Sequence, residues 1–503
     1  MEDGRIANFT IPKDGKLSVT DVRACHVQAP SLLSWSVYRT VDTPNLIKGK
    51  FRTSNHNFNL KHQLSHKVCV FSQANSSRSI VNFKFTASIN STMPSSEEPN
   101  VIIAGAGPAG LLIAIMLADI GVKSTVLERS AKPDQWSTKS YTIVIGERGQ
   151  ASLKRGGCLE SAASFGMPRK FVYFFDGKSG ERKCMPKKVQ GIGFSRPLLV
   201  ECLEKNVIGN ANITLKRGSG VSKVTIDAED GLQVYLDDDS FVSGTHVIGA
   251  DGKWSKVRQS FPSLSKQGKI LTCPSFGVHM VASTFPVGWP SDGTYVIRPE
   301  NENSLFYIIA SPIPTGELSI SMVCYDETVE KFPWLAPPDD MVPETYGSGG
   351  WKDEYSCMPS SEKSNLTLAD QVAQHLESEM PAFLAAIGKE AVNTVRINRR
   401  VSWLEMTADE GKAVTYSTVD GKITLIGDSA HAVTPSMGEG CNTAMESAVK
   451  LMDSILLEMK EKETDSCTTE VLSAAFSSYG LSRPKDCQLI QEKCAASSRM
   501  KKK

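Results

Sequence analysis

The chain has 503 residues, 40% of them apolar and 22% charged, which gives room for two or three domains with a large core and excludes a fibre or wholesale disorder. Fifty-six basic residues against fifty-five acidic ones leave a net charge of +1, so no long-range field or basic stripe marks a nucleic-acid binder. Twelve cysteines and eight histidines form no CxxC pair and no metal-like grouping, so reduced, inert thiols and no metal site are expected.

Residues 1–98 stand apart from the rest. From 43 to 96 there is no Asp or Glu, while Lys48, Lys50, Arg52, Lys61, Lys67, Arg78 and Lys84 sit among many Ser, Asn and Thr. Basic, hydroxyl-rich and acid-poor is the composition of an organelle transit peptide. Glu2, Asp3, Asp14 and Asp21 depart from that pattern, and a disordered tail with no address is the competing reading. The expectation is an extension dispensable for catalysis, addressed to a plastid, with mitochondrial or cytoplasmic residence as alternatives.

Next comes VIIAGAGPAG. Val101, Ile102, Ile103 and Ala104 read as a buried parallel strand. Gly105 makes a tight turn, Gly107 lets backbone approach a pyrophosphate, and Ala109 with Gly110 lets the following helix pack closely on the strand. That helix, 111–120, points its N-terminus at phosphate, where unpaired N–H groups and the helix dipole favour an anion. A second strand, 123–127, delivers Glu128, eighteen residues beyond Gly110, near the roughly 20 expected of the acid that binds a ribose hydroxyl. The unit binds an adenine dinucleotide. A membrane span is excluded, because three Gly and a Pro interrupt 101–118 and Asp119, Lys123 and Glu128 follow, where about 20 apolar residues are needed.

Further along, 152–164 predicts a helix, 170–175 a strand running into Asp176-Gly177, and 197–206 a helix. Two alternating strands are expected over 213–235 and a buried strand over 245–250, ending at Asp251-Gly252. Four alternating strands follow between Cys273 and Cys324. Residues 333–364 are rich in Pro and Gly, 368–384 predicts a helix, and 423–426 predicts a return to the parallel sheet. Helices over 443–460 and 469–496 close the chain, with no long apolar run after Arg483, so no integral membrane anchor is expected.

Glu128-Arg129 after the glycines, Arg148-Gly149, Ser195-Arg196, Gly249-Ala250-Asp251-Gly252, Gly427-Asp428 and Arg483-Pro484 occur in an order that resembles the flavin-dependent aromatic hydroxylases of the p-hydroxybenzoate hydroxylase type, nearest to kynurenine 3-monooxygenases. The resemblance runs from about Pro99 to Lys485. It implies an α/β fold with an α+β substrate layer: a discontinuous Rossmann-like FAD-binding domain (99–168, 192–270 and 421–450), a mixed β-sheet substrate domain (169–191 and 271–420) and a C-terminal helical segment (451–503).

The same resemblance implies that Asp428 accepts hydrogen bonds from the ribityl chain, and that Gly438 and Gly440 let backbone N–H groups of Gly440, Cys441 and Asn442 face the flavin's pyrimidine edge. Arg148 and Arg196 approach the diphosphate or its ribose, where a guanidinium fork suits phosphate. Asp251 lies between the flavin and the nicotinamide path. Two positions depart from the family: Glu439 stands where relatives usually have Gln, and Ser447 where they usually have Asp, preceded by Glu446. An inward Glu439 would disfavour reduction, so it is expected to face away or to be paired. Cys441 is expected to serve packing.

The implied activity is that of an FAD monooxygenase. NADPH or NADH reduces the flavin, O2 adds at carbon 4a, and the distal oxygen of that hydroperoxide enters a small aromatic or unsaturated substrate; the cofactor carries the hard step. No catalytic side chain is singled out. The Arg and Tyr with which kynurenine hydroxylases hold a carboxylate are not reproduced, since Tyr173 and Lys187 stand near those positions. Tyr173, Phe175, His279 and Tyr307 are the candidate substrate contacts. A monomer or homodimer is expected, and a reductase or dehydrogenase of the same fold, or a flavoprotein module without catalysis, are the alternatives.

Overall fold

The computed structural model describes residues 98–132, 142–227, 231–299, 307–335 and 366–499, together with the placement of six strands between Ile6 and Lys84. The chain divides into two compact units, Met1–Pro94 and Ser95–Lys503. In the first, Ile6–Phe9, Cys25–Gln28, Leu33–Arg39 and Ile47–Thr53 form an antiparallel sheet, and Ser65–Val70 pairs with Ser79–Lys84. The side chains on which the transit-peptide reading rests lie outside the described residues, as does most of the Pro/Gly-rich stretch 333–364.

The second unit is built on a five-stranded sheet in the order Ile213–Arg217, Lys123–Glu128, Asn100–Ala104, His246–Gly249, Ile423–Leu425. Every pairing in it is parallel. Parallel sheets are covered on both faces, which is why the inner strands Asn100–Ala104 and His246–Gly249 are buried nearly throughout rather than in alternation. Helix Pro108–Asp119 is buried from Ala109 through Ala118, because Arg196–Val207 and Gly440–Glu461 both pack on it. A helix enclosed that way has to be apolar all round.

The stretch 213–235 holds three strands rather than the two expected. Ile213–Arg217 joins the parallel sheet as its edge, and Gly231–Leu236 pairs with Val221–Asp227 on one side and Phe241–Gly244 on the other in a separate antiparallel sheet. The break is at Gly218-Ser219-Gly220, where the Ser219 N–H turns back to the Glu128 carbonyl at 2.8 Å. The helix expected over 368–384 is likewise two, Leu368–Glu379 and Pro381–Ile387. Pro381 has no N–H to continue the first helix and starts the second instead.

An eight-stranded mixed sheet forms the other layer, in the order Arg396–Met406, Gly268–Ala282, Leu318–Tyr325, Tyr307–Pro312, Gly293–Arg298, Met167–Asp176, Arg182–Ser195, Thr142–Ile145. Alternate residues of its central strands, such as Phe276, Val278, Met280, Ile308, Ala310 and Ile320, form one core with Leu376, Met380, Phe383 and Leu384 of the covering helices. The intervening residues make up the opposite face.

The last helix, Thr469–Arg499, contains Pro484. Proline cannot donate to the carbonyl four residues earlier, and that freed Gly480 carbonyl accepts the Tyr416 N–H at 3.0 Å, tying the helix to the chain entering the parallel sheet. No helix of the described residues is long and apolar enough to cross a membrane.

Candidate functional site

Three loops meet at the C-terminal edge of the parallel sheet. Gly105 has φ of +101°, and a Cβ there would lie 2.5 Å from the Ala250 carbonyl oxygen; one on Gly110 would overlap the Gly105 oxygen. Only glycine allows this crossing of strand, loop and helix. A Cβ on Gly107 would have nothing within 4 Å, so the loop presents bare backbone outward at the N-terminus of Pro108–Asp119. That terminus has no side-chain cap and no acid in its first turn. From far along the chain Gly427 arrives beside it, so close that a Cβ there would touch the Ala109 methyl at 3.5 Å.

Glu128 ends the second strand with both oxygens on backbone: Oε2 accepts the Ala106 N–H and Oε1 the Ser130 N–H, each at 2.9 Å. It is thereby aimed at the glycine loop and keeps lone pairs for further donors. Arg129, in contrast, lies to the side, 3.4 Å from Asp237, both half-exposed.

Asp251 follows the fourth strand. Its Oδ2 accepts the N–H groups of Lys256 and Val257 at 2.7 and 3.1 Å, while its buried Oδ1 has no partner among the described residues. Burial raises its pKa. A buried carboxylate oxygen without a donor is costly. Arg258 lies nearby, buried, and donates to the Ser429 oxygen at 2.5 Å and the Lys253 oxygen at 2.6 Å. It pins the loop after Asp251 to the loop after Asp428, a link that no local motif announced.

Asp428 opens the short helix Asp428–His431. Solvent reaches its side chain, yet the surrounding protein desolvates the carboxyl and raises its pKa against the pull of Lys253 and Arg196. It therefore lines a recess. Arg196, solvent-exposed at the start of Arg196–Val207, shares that recess with Asp428 and Cys441. The Cys441 thiol is pushed up to about 12 by burial, against Arg196, and stays protonated, as a packing role requires.

Gly438 (φ +68°) and Glu439 lead into Gly440–Glu461, whose N-terminus also lacks a side-chain cap and a first-turn acid. Asn442 ties that end to the strand Thr142–Ile145 and its exit: Oδ1 accepts the Gly146 N–H at 2.9 Å and Nδ2 donates to the Val144 and Gly438 oxygens, each at 3.1 Å. Gly149 makes this packing possible, since a Cβ there would overlap the Asn442 oxygen.

Glu439 is paired. Arg148 donates to it at 2.6 Å and reaches Glu446 at 3.5 Å, and Arg483 donates to Glu446 at 2.7 Å. Ser447 accepts from Arg483 Nε at 3.1 Å and lies 2.7 Å from His431 Nε2. The two family departures thus belong to one network, Glu439–Arg148–Glu446–Arg483, with Ser447 beside it. The structure gives the Arg148 guanidinium these carboxylate partners.

The substrate candidates divide between the two faces of the mixed sheet. Tyr173 and Phe175 point to the helix-covered side, 7% and 5% exposed. Tyr173 stacks on Tyr295 and donates to Asp292 at 2.9 Å, and Phe175 packs on Trp289 and Phe383. Alternation along a strand announces two faces without saying which one the helices cover, and here it is theirs. His279 and Tyr307 lie on the opposite face. His279 Nδ1 is 2.7 Å from the Ser321 hydroxyl, and Tyr307 shares a hydrogen bond with Tyr325.

Uncapped helix ends, a bare glycine loop, an orphaned carboxylate oxygen and a recess with both Arg196 and Asp428 fit a dinucleotide flavin. Comparison with known proteins agrees. Over 421 residues the chain is 23% identical to a kynurenine 3-monooxygenase of Xanthomonas oryzae pv. oryzae, covering 78% of this chain and 77% of that one. It is 23% identical over 379 residues to the FAD-dependent monooxygenase dbaB of Emericella nidulans, covering 71% and 86%. Among solved structures it resembles a variant of Klebsiella pneumoniae HpxO complexed with FAD, with a TM-score of 0.56 at 18% identity, covering 80% of this chain and 89% of that one. The FAD binding domain family matches residues 98–469, and the chain belongs to that family.

Proposed function

We propose that the protein is an FAD-dependent monooxygenase that uses NADPH or NADH and O2 to insert one oxygen atom into a small aromatic or unsaturated substrate. The observation that carries this reading is the meeting of Gly105–Gly110, Asp251 and Asp428–Asn442 at one sheet edge, where ligands bind in open α/β folds.

The residues present divide the work. The Gly107 backbone and the helix end behind it would hold the diphosphate, with Arg196 adding charge. Glu128 would accept a ribose hydroxyl, and Asp428 the ribityl hydroxyls. The backbone N–H groups at the start of Gly440–Glu461 would stabilise negative charge on the ring system. Bound FAD supplies the activation of O2 and the oxygen transfer. What remains for the protein is to fix the acceptor and to keep water out, a task suited to the mixed sheet.

The test is direct. Purified full-length protein should be yellow, should oxidise NADPH faster when the right acceptor is present, and should convert that acceptor to a product heavier by one oxygen atom in a metabolite extract supplied with air. Acceptor reduced with no oxygen gained would favour a reductase, and a protein that stays colourless when offered FAD would overturn the reading.

A further inference from the structure

Four arginines of the described residues are nine-tenths or more buried: Arg169, Arg258, Arg396 and Arg483. Three of them are accounted for. Arg169 donates to the Pro168, Ser291 and Pro312 carbonyls, Arg258 to those of Lys253 and Ser429, and Arg483 to Glu446. Arg396, 7% exposed, is different. Arg169 Nε also lacks a partner, but its other nitrogens meet three carbonyls; Arg396 has neither a partner for its buried Nε nor an ion pair with a described carboxylate. Desolvation lowers its pKa to about 10, so it remains charged. A buried, unmatched guanidinium is costly unless an anion meets it.

Its position says where that anion would lie. In the antiparallel register, Val278 faces Ile397 and His279 faces Arg396. Val278 and Ile397 belong to the helix-covered core, so Arg396 and His279 share the opposite face. The same rung runs on through Ser321, Ile309, Val296 and Phe174. It therefore begins with a cation, a histidine and a hydroxyl, continues with three apolar side chains, and carries no acid. His279 cannot neutralise its neighbour: burial, with Arg396 adding to it, pushes the imidazole down to about 3. The strand bearing Arg396 continues to the flavin loop, where the Leu404 N–H meets the Ala432 oxygen at 3.0 Å.

We propose that the acceptor is an organic acid whose carboxylate seats on Arg396, beside His279 and Ser321, with its ring toward Ile309 and Val296, as far along the rung as a small acid reaches. This rests on the monooxygenase reading for the identity of the site as a substrate site. A guanidinium fork matches a carboxylate in shape and number of donors, and the apolar remainder of the rung suits the flat body of an aromatic or unsaturated acid. This clamp lies on different strands from the positions, near Tyr173 and Lys187, that the family resemblance pointed to.

Calorimetric titration of the full-length protein with benzoate, 2-aminobenzoate and cinnamate, each against its uncharged amide, tests the proposal, with the visible flavin spectrum recorded on the same samples. At least one acid should bind at least about tenfold more tightly than its amide, and Arg396→Met should weaken the acid by about tenfold or more while leaving the amide unchanged. Arg396→Lys, which keeps charge and loses the fork, should fall between. No binding by any of the acids, or equal binding by wild type and Arg396→Met, overturns the proposal, as does an Arg396→Met variant that loses adenosine 2′,5′-bisphosphate instead. A yellow protein indifferent to Arg396 sinks the acid site and leaves the flavin reading standing; a colourless protein that binds the acid through Arg396 does the reverse.

Discussion

At the scale of single residues, the glycine loop and the Glu439 pair make opposite demands. Gly107 has ordinary dihedrals, φ −74° and ψ 174°, and open space where a side chain would go. Gly107→Ala should therefore leave the melting temperature of the FAD-stripped protein unchanged and lower the fraction of FAD retained through gel filtration. Gly110→Ala drives a methyl into the Gly105 carbonyl and should destabilise the stripped protein itself, by about 1–3 kcal/mol as overpacking does. Equal melting temperatures for the two variants would mean that the two glycines are not divided between ligand approach and packing. Glu439 and Arg148 are each about a third exposed, 31% and 33%, so their pairing contributes at most about 1 kcal/mol. Glu439→Gln, which keeps the size and removes the charge, should consequently move the two-electron flavin potential by less than about 20 mV. A larger rise in potentiometric titration would show that the carboxylate acts on the flavin directly.

Between elements, the joints matter more than the strands. Arg258 ties two sheet-edge loops, and Arg483 ties the last helix to Gly440–Glu461 through Glu446, Ser447 and the Thr443 carbonyl. Arg483 is 2% exposed, so Arg483→Leu leaves Glu446 without its buried partner. Breaking such a pair costs about 3–5 kcal/mol. Glu446→Gln in the same background should return part of that loss, measured by urea denaturation; no recovery would place the effect in lost packing. How much of this could be read beforehand follows from the range of each interaction. The glycine loop, Glu128 and Asp428 were legible because each acts through its own backbone or at a strand end. The pairing of Glu439 was legible as a need, though its partner was not, because Arg148 lies 291 residues away. The aromatic character of Tyr173 and Phe175 suggests a substrate contact, while the helices that cover them are more than 190 residues distant in sequence. Arg396 does not stand out in the sequence because, within RINRR, one buried arginine cannot be told from a solvated run of charge.

For the whole molecule, buried neutral histidines decide the response to acid. His246 lies in the parallel sheet, 2% exposed, with Thr245 Oγ1 at 3.0 Å and Ser473 Oγ of the last helix at 2.9 Å. Burial, with Lys422 adding to it, lowers its pKa to about 4. His431, 1% exposed, is pushed down to about 3 by burial and Arg483. In the unfolded chain both imidazoles protonate near about 6.5. Between about 6.5 and 4 the unfolded state therefore binds protons that the folded state refuses, and stability must fall as the pH is lowered through that window. Each histidine contributes about 2 kcal/mol of that loss by pH 5. The carboxyls of Asp251 and Asp428, whose pKa values are raised by burial, act with the opposite sign: they take up protons in the folded state above the unfolded carboxyl range and soften the fall. His246→Gln removes one titrating group while its amide can still reach Ser473. Thermal melts at pH 7.5 and 5.0 should show a smaller acid loss in His246→Gln than in wild type, with the two proteins closest at the lower pH. Parallel losses would mean that His246 does not stay neutral in the folded sheet and that another group controls the acid limb.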